Sequence, residues 1–364
     1  MSRFRVPFGS PAPREDAAAV RAAIERVVSS GWYVLGPEVA AFETEFADAC
    51  GAGHAVGVGT GTDAIALILR ALGIGPGDEV ITTPLSAAYT ALAVMMVGAR
   101  PVFADIDPER LTLDPAAAER AVTPRTRAIL PVHLYGQAAD MDALQQVASR
   151  HSLALVEDAC QAHLATAGGK PVGTIGVAGA FSFYPTKNLG ALGDGGAIVT
   201  GDGALATRLR RLRNGGQTDR YHHLEPGLNS RLDEMQAAIL RARLPYLRSW
   251  TERRRTVAAA YRAALVGARL NVLREFDAGH VYHLFVVRTR HRAVLQQHLV
   301  ADGIETLVHY PVSIPRQPAL ASQDPADCPE AARACEEVLS LPLHPGLTDQ
   351  DVAAVAASVH ACEV

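Results

Sequence analysis

Short apolar runs separated by helix-like stretches set the rhythm of the chain. EVITT (79–83) is followed by AYTALAVMMVGA, PVFAD (101–105) by DPAAAERAV, RAILPVHL (127–134) by DMDALQQVASRH, and LALVE (153–157) closes the series. Near-continuously apolar strands alternating with helices indicate a mostly parallel sheet covered on both faces. GAFSFY (179–184) and GAIVT (196–200) break this rhythm, because too few residues lie between them for a helical crossover. They are expected to pair as neighbours, with one strand antiparallel to its surroundings. Upstream, GVGTGTDAIALILRALG (57–73) places a glycine and threonine cluster at the start of a strongly helical apolar pattern.

After RLDEMQAAILRARLPYL (231–247) the texture changes. A long arginine-rich helix precedes VYHLFVVRT (281–289), a helix around 291–302, ETLVH (305–309) and a final helix from about 348, while the stretch from Pro311 to Pro329 reads as a long loop. This predicts an α/β domain over 1–245 and a smaller α+β domain over 246–364, with a cleft between them suited to a ligand.

Composition narrows the function. The 364 residues are 49% hydrophobic and 20% charged with a formal charge of -4, which offers no basic footprint for nucleic acid. The basic runs RLRRLR (208–213) and ERRR (252–255) lie in helical segments, where their arginines are expected to face water. Five cysteines, at 50, 160, 328, 335 and 362, are odd in number and lack CxxC spacing, as for reduced thiols in a cytoplasm. No metal site is expected. MSRFRVPFGSPAPRED has no apolar signal region and no later stretch approaches a bilayer span, so a cytoplasmic location is expected.

Three features carry chemistry. LALVEDACQAH sets Asp158 at the end of a buried strand with Gln161 three residues on, the place where open parallel sheets hold ligands. At Gly61 and Thr62 backbone N–H groups and the helix dipole converge on a seat for phosphate, although a simple helix cap by Thr60 or Thr62 accounts for the same residues. Lys187, one of only two lysines in the chain, lies between the two neighbouring strands. A carboxylate for a pyridine nitrogen, a phosphate seat and a lysine for an aldehyde together match pyridoxal 5'-phosphate.

From about residue 7 to its end the chain resembles the fold-type I pyridoxal-phosphate enzymes of the DegT and StrS family of sugar aminotransferases. The stretches that carry the resemblance include GTGTDAIAL, GPGDEVITTP, PVHLYGQAADMDAL, VEDACQAH, FSFYPTKNLGALGDGGAIVT, GLNSRLDEMQAAIL and VHYPVSIP. The resemblance implies a large α/β/α domain with a mostly parallel sheet, a smaller C-terminal α+β domain, and a homodimer with shared active sites. It implies Lys187 as the Schiff-base lysine and proton carrier, Asp158 on the pyridinium, Gln161 on the ring hydroxyl, and Ser182, Gly61 and Thr62 on the phosphate. Asn229 would reach the phosphate of the other subunit. Tyr221 and His223 would border the partner's sugar pocket, and His309 and Tyr310 would approach substrate from the smaller domain. A dehydratase branch of the family has histidine in place of the lysine, so Lys187 points to amino transfer. The implied reaction moves an amino group from L-glutamate or L-glutamine to a nucleotide-linked keto-deoxysugar, a dTDP-3-keto-6-deoxyhexose of antibiotic or cell-surface sugar biosynthesis. Amination at C4 or of a cyclitol ketone such as scyllo-inosose is the alternative, and a non-catalytic cofactor-binding regulator is another.

One departure stands out. Where relatives carry an aromatic ring that stacks on the cofactor, this chain has Ala87, with Tyr89 two residues later. An extended segment would let Tyr89 replace the ring. A helix beginning there would turn it away and leave the face open, which AAYTALAVMMVGA favours.

Overall fold

The apolar runs become the strands Glu79–Thr82, Arg100–Phe103, Thr126–Leu130 and Ala154–Asp158 in a computed structural model that describes residues 4–9, 12–321 and 327–362. They belong to a seven-stranded sheet whose order, by first residue, is 54, 196, 178, 154, 126, 79, 100. Only Gly196–Thr200 runs against the other six, pairing antiparallel with Ala178–Ser182 on one side and His54–Val58 on the other. The short link between the two neighbouring strands forces that reversal.

Alternation along each strand sends apolar side chains into two layers. Val56, Val80, Leu130, Val156 and Ile198 pack with Ile65 and Leu69 of the helix Gly61–Ala71. On the opposite face, Ile81, Ile129 and Leu155 pack with Leu144 and Val147, while Phe181 meets Phe42 and Phe46. The result is the expected α/β/α sandwich. The strand His54–Val58 is absent from the sequence reading, because HAVGV is short and merges with the glycine cluster. Gly57 leaves room there for Leu232, whose side chain would lie 3.1 Å from an added Cβ.

Beyond residue 245, the helices Leu247–Ala264, Arg292–Ala301 and Asp349–Ala361 cover an antiparallel sheet of Asn271–Val272, Phe285–Arg288 and Val338–Leu341. Two expectations need correction. ETLVH forms no strand and contributes an isolated bridge between Leu307 and Ser340; the third strand is VLSL, which a proline-started helix, Pro329–Glu337, delivers to the sheet. Part of the expected 311–329 loop is a short 3-10 turn, Ile314–Arg316, and 322–326 lie outside the described residues. At the other end of the chain Val6 bridges Ile304 and packs into this C-terminal core.

The basic runs face water only in part: Arg208 and Arg210 are about two-fifths exposed, whereas Arg213 and Arg254 are buried. Arg208 and Arg211 both bind Glu225, Arg210 and Arg213 both reach Glu43, and Arg255 donates to the His280 carbonyl at 3.0 Å. Arg254 is buried and donates from Nη1 to the carbonyls of Tyr282, His283 and Leu343 at 3.1, 3.3 and 3.1 Å. A guanidinium on a long apolar stem fastens separate segments in a way that a charge count does not show. Among the described residues all five cysteines are free, and no helix is long and apolar enough to cross a membrane.

Candidate active site

The strand end at Asp158 and the start of the helix at Gly61 meet beside the Lys187 turn. Thr60 caps that helix by accepting from the Asp63 N–H at 3.0 Å, so the capping alternative is correct for Thr60. Capping leaves the N–H groups of Gly61 and Thr62, which have no acceptor among the described residues. A Cβ on Gly61 would lie 2.7 Å from Cys160 Sγ and 2.8 Å from Ser182 Cβ. Glycine therefore lets the helix N-terminus close onto the ends of two strands, a cradle for an anion.

Asp158 is buried, accepting at Oδ2 from Thr90 Oγ1 at 2.8 Å and at Oδ1 from the Cys160 N–H at 3.1 Å. Each carboxylate oxygen has a second lone pair, so a further donor can be accommodated. Gln161 accepts from the Tyr135 N–H at 2.8 Å, which orients its Nε2 toward the Tyr310 hydroxyl at 3.0 Å. The Tyr135 hydroxyl donates to the His309 carbonyl, and His309 Nδ1 lies 2.9 Å from Ser340 Oγ. Gln161, Tyr310 and His309 thus form one linked group across the two sheets.

Lys187 is half-buried, with its N–H bonded to the Tyr184 carbonyl at 2.8 Å. Burial holds its ammonium below the ordinary lysine range, against the pull of Cys160 and Asp158. Burial and the nearby Lys187 push His309 down to about 4, and burial raises Tyr310 to about 12. His283 is driven well below its ordinary value by burial, with Lys187 and Arg254 adding to the shift. Asn188 Nδ2 donates to the Val281 carbonyl at 3.1 Å, leaving its Oδ1 for His283 Nδ1 at 3.2 Å. The proton of the neutral imidazole therefore sits on Nδ1.

Thr90, Asn188, His283 and Cys160 were missed in the sequence. Asn188 adjoins the lysine and could have been suspected, whereas Thr90 sits 68 positions from Asp158 with no local sign of its role. Three predicted residues stay apart within one chain. Tyr221 is 78% exposed with Arg220 over its ring, His223 bonds only its own loop through Gly215 and Gln217, and Asn229 is exposed on a bridge to Asn214. Ala87 precedes the helix Tyr89–Met96, whose first residue is 65% exposed, so the helical alternative holds for this segment.

The DegT/DnrJ/EryC1/StrS aminotransferase family matches residues 14–360. The chain belongs to that family. It is 53% identical, over 92% of its length and 90% of the relative's, to a dTDP-3-amino-3,4,6-trideoxy-alpha-D-glucose transaminase of Streptomyces venezuelae. A pleiotropic regulatory protein of Geobacillus stearothermophilus is 47% identical over 87% of this chain and 86% of its own. The X-ray structure of S. venezuelae DesV in complex with a ketimine intermediate superposes with a TM-score of 0.96 at 50% identity, covering 98% of each chain. The cofactor of these aminotransferases is pyridoxal 5'-phosphate. The cradle at Gly61, the buried carboxylate at Asp158 and the lysine of lowered basicity fit its phosphate, ring nitrogen and aldehyde in turn.

Proposed function

We propose that this aminotransferase moves the amino group of an acidic or amide amino acid, L-glutamate or L-glutamine, to C3 of a dTDP-linked 3-keto-6-deoxyhexose. The observation that carries the reading is the half-identical dTDP-amino-sugar transaminase, together with a lysine retained at Lys187. Bound pyridoxal phosphate lets the α-carbon of the amino acid release its proton. Lys187 Nζ receives and returns that proton, aided by burial that lowers the basicity of the amine. Asp158 holds positive charge on the ring nitrogen, steadied by Thr90, and Gln161 orients the ring hydroxyl. Ser182 and the N–H groups of Gly61 and Thr62 hold the phosphate.

The working unit is a cytosolic homodimer whose subunits divide at about residue 245. Asn229, Tyr221 and His223 complete the partner's site, which accounts for their exposed loop in a single chain. His309 and Tyr310 face the sugar. An assay of glutamate and glutamine against dTDP-3-keto and 4-keto sugars and scyllo-inosose tests the reading. Selective formation of the 3-amino sugar is expected. Selective amination of a 4-keto sugar or cyclitol overturns the acceptor, and binding without turnover favours the regulatory role that the Geobacillus relative's name describes. Mixing Lys187→Ala with Asn229→Ala subunits should restore about a quarter of the sites, since half of the dimers are mixed and each of those has one intact site. No recovery overturns the shared site.

A further inference from the structure

A cavity of about 440 Å³ opens beside the Lys187 turn, and Arg14, Lys187, His283 and His309 lie on its wall. Amino transfer sets two tasks there. The reacting carbon gives up or takes a proton, which falls to Lys187, and the oxygen of a keto group must be polarised before nitrogen replaces it. No residue has yet been given the second task. His283 spends the one N–H of its neutral ring on Asn188 Oδ1 at 3.2 Å.

The hydrogen bonds around Gln161 leave one proton unspent. Because Gln161 Oε1 accepts from the Tyr135 N–H at 2.8 Å, the end of the amide that meets Tyr310 at 3.0 Å is Nε2, which can only donate. The Tyr310 oxygen therefore accepts, and its own proton has no acceptor among the described residues. Burial, with Asp158 and Cys160 adding, raises this hydroxyl to about 12, so it stays protonated. The same Asp158 and Cys160 act on Lys187, which places the hydroxyl and the amine on one pocket. The ring is also held: His309 packs edge-on against it, with centroids 5.5 Å apart, and the Tyr135 hydroxyl donates to the His309 carbonyl.

We propose that Tyr310 is a catalytic residue whose O–H donates to the keto oxygen of the acceptor sugar, polarising the carbonyl for attack by the amine. The inference rests on the aminotransferase reading and on the place of Gln161 at the ring hydroxyl. The two N–H groups of a planar amide diverge by about 120°, so two oxygens bonded by them stand about 5 Å apart. With the ring hydroxyl on one N–H and Tyr310 on the other, the tyrosine proton is out of reach of the cofactor and remains for the substrate. The keto acid formed from the amino donor meets the same hydroxyl, because one site serves both halves of the reaction.

The test compares wild type, Tyr310→Phe and Tyr135→Phe, each loaded with cofactor. Exchange of the glutamate α-proton with D2O, followed by NMR, needs Lys187 but no keto oxygen, and should stay within about threefold of wild type in Tyr310→Phe. Single-turnover transfer to the keto sugar should fall about a hundredfold to a thousandfold, as for loss of one donor to a developing oxyanion, with cofactor Kd unchanged. Tyr135→Phe, which only loosens the segment, should slow transfer about tenfold or less. Transfer within a few-fold of wild type in Tyr310→Phe, a parallel fall of exchange and transfer, weakened cofactor binding, or an equal loss in Tyr135→Phe would each overturn the proposal. Should no keto sugar be accepted, 2-oxoglutarate reads the same contact: a hundredfold slower reaction with exchange preserved keeps Tyr310 in its role and removes the acceptor reading alone.

Discussion

Glu157 and Asp158 end one strand, and alternation sends their carboxylates to opposite faces of the sheet. Glu157 has no exposure and accepts from four donors: His133 Nε2 at 2.9 Å and the N–H groups of Gly173, Ile175 and Gly176, each at 2.7 Å. His133 is satisfied as well, its Nδ1 accepting from the Ala139 N–H at 3.1 Å. On the Asp158 side, each carboxylate oxygen accepts from a single donor, and the neighbouring Lys187 is held below its ordinary basicity. A closed polar network holds loops to the sheet. An open one keeps charge and hydrogen-bonding capacity for a ligand, at some cost in stability.

Lys187→Ala strikes the open side and should reduce amino transfer at least about a thousandfold while leaving the urea unfolding midpoint near wild type. Lys170→Arg, in an exposed hairpin turn, should alter neither quantity. Glu157→Ala strikes the closed side: four donors lose their acceptor, and urea unfolding should show a loss of about 3–5 kcal/mol, with residual folded enzyme still loading cofactor. An active-site defect without loss of stability would erase the contrast.

Acid probes a further buried group, His163, which packs against Phe181 and Phe183. His163 is lowered from 6.5 to about 3, chiefly by burial, so between those values the unfolded chain binds a proton that the folded chain refuses. Stability is therefore full above about pH 6.5 and falls as pH drops toward 3, with a slope of up to about 1.4 kcal/mol per pH unit from this group. Urea midpoints across that range should fall less steeply in His163→Leu; an unchanged slope would remove His163 as a cause. The smallest effect belongs to Tyr89→Ala. With its ring turned to solvent, cofactor affinity should change by less than about twofold, as for ordinary surface substitutions. A large loss would show that Tyr89 fills the place of the missing ring at Ala87.

Much of the site was legible because chemistry sat beside strong local patterns. Asp158 follows an apolar strand, Gly61 opens a helix, and Lys187 lies in a link too short for a crossover. The arginine runs misled for the complementary reason: a helical basic run looks the same whether its side chains meet water or distant carbonyls, and Arg254 finds the latter 28 to 89 positions away. ETLVH had the composition of a strand, but VLSL supplied the sheet's edge.

Sequence by itself determined the sheet's alternating rhythm, the antiparallel reversal after Ala178–Ser182 and the candidates Lys187, Asp158 and Gly61, since these depend on periodicity and short-range spacing. Tertiary structure decided which groups answer them. Thr90 reaches Asp158, Tyr310 reaches Gln161 across 149 positions, Val6 joins the C-terminal core, and Arg14 enters a cavity only because residue 346 has no side chain. Such meetings leave no local trace, because burial and hydrogen-bond satisfaction are settled over the whole fold.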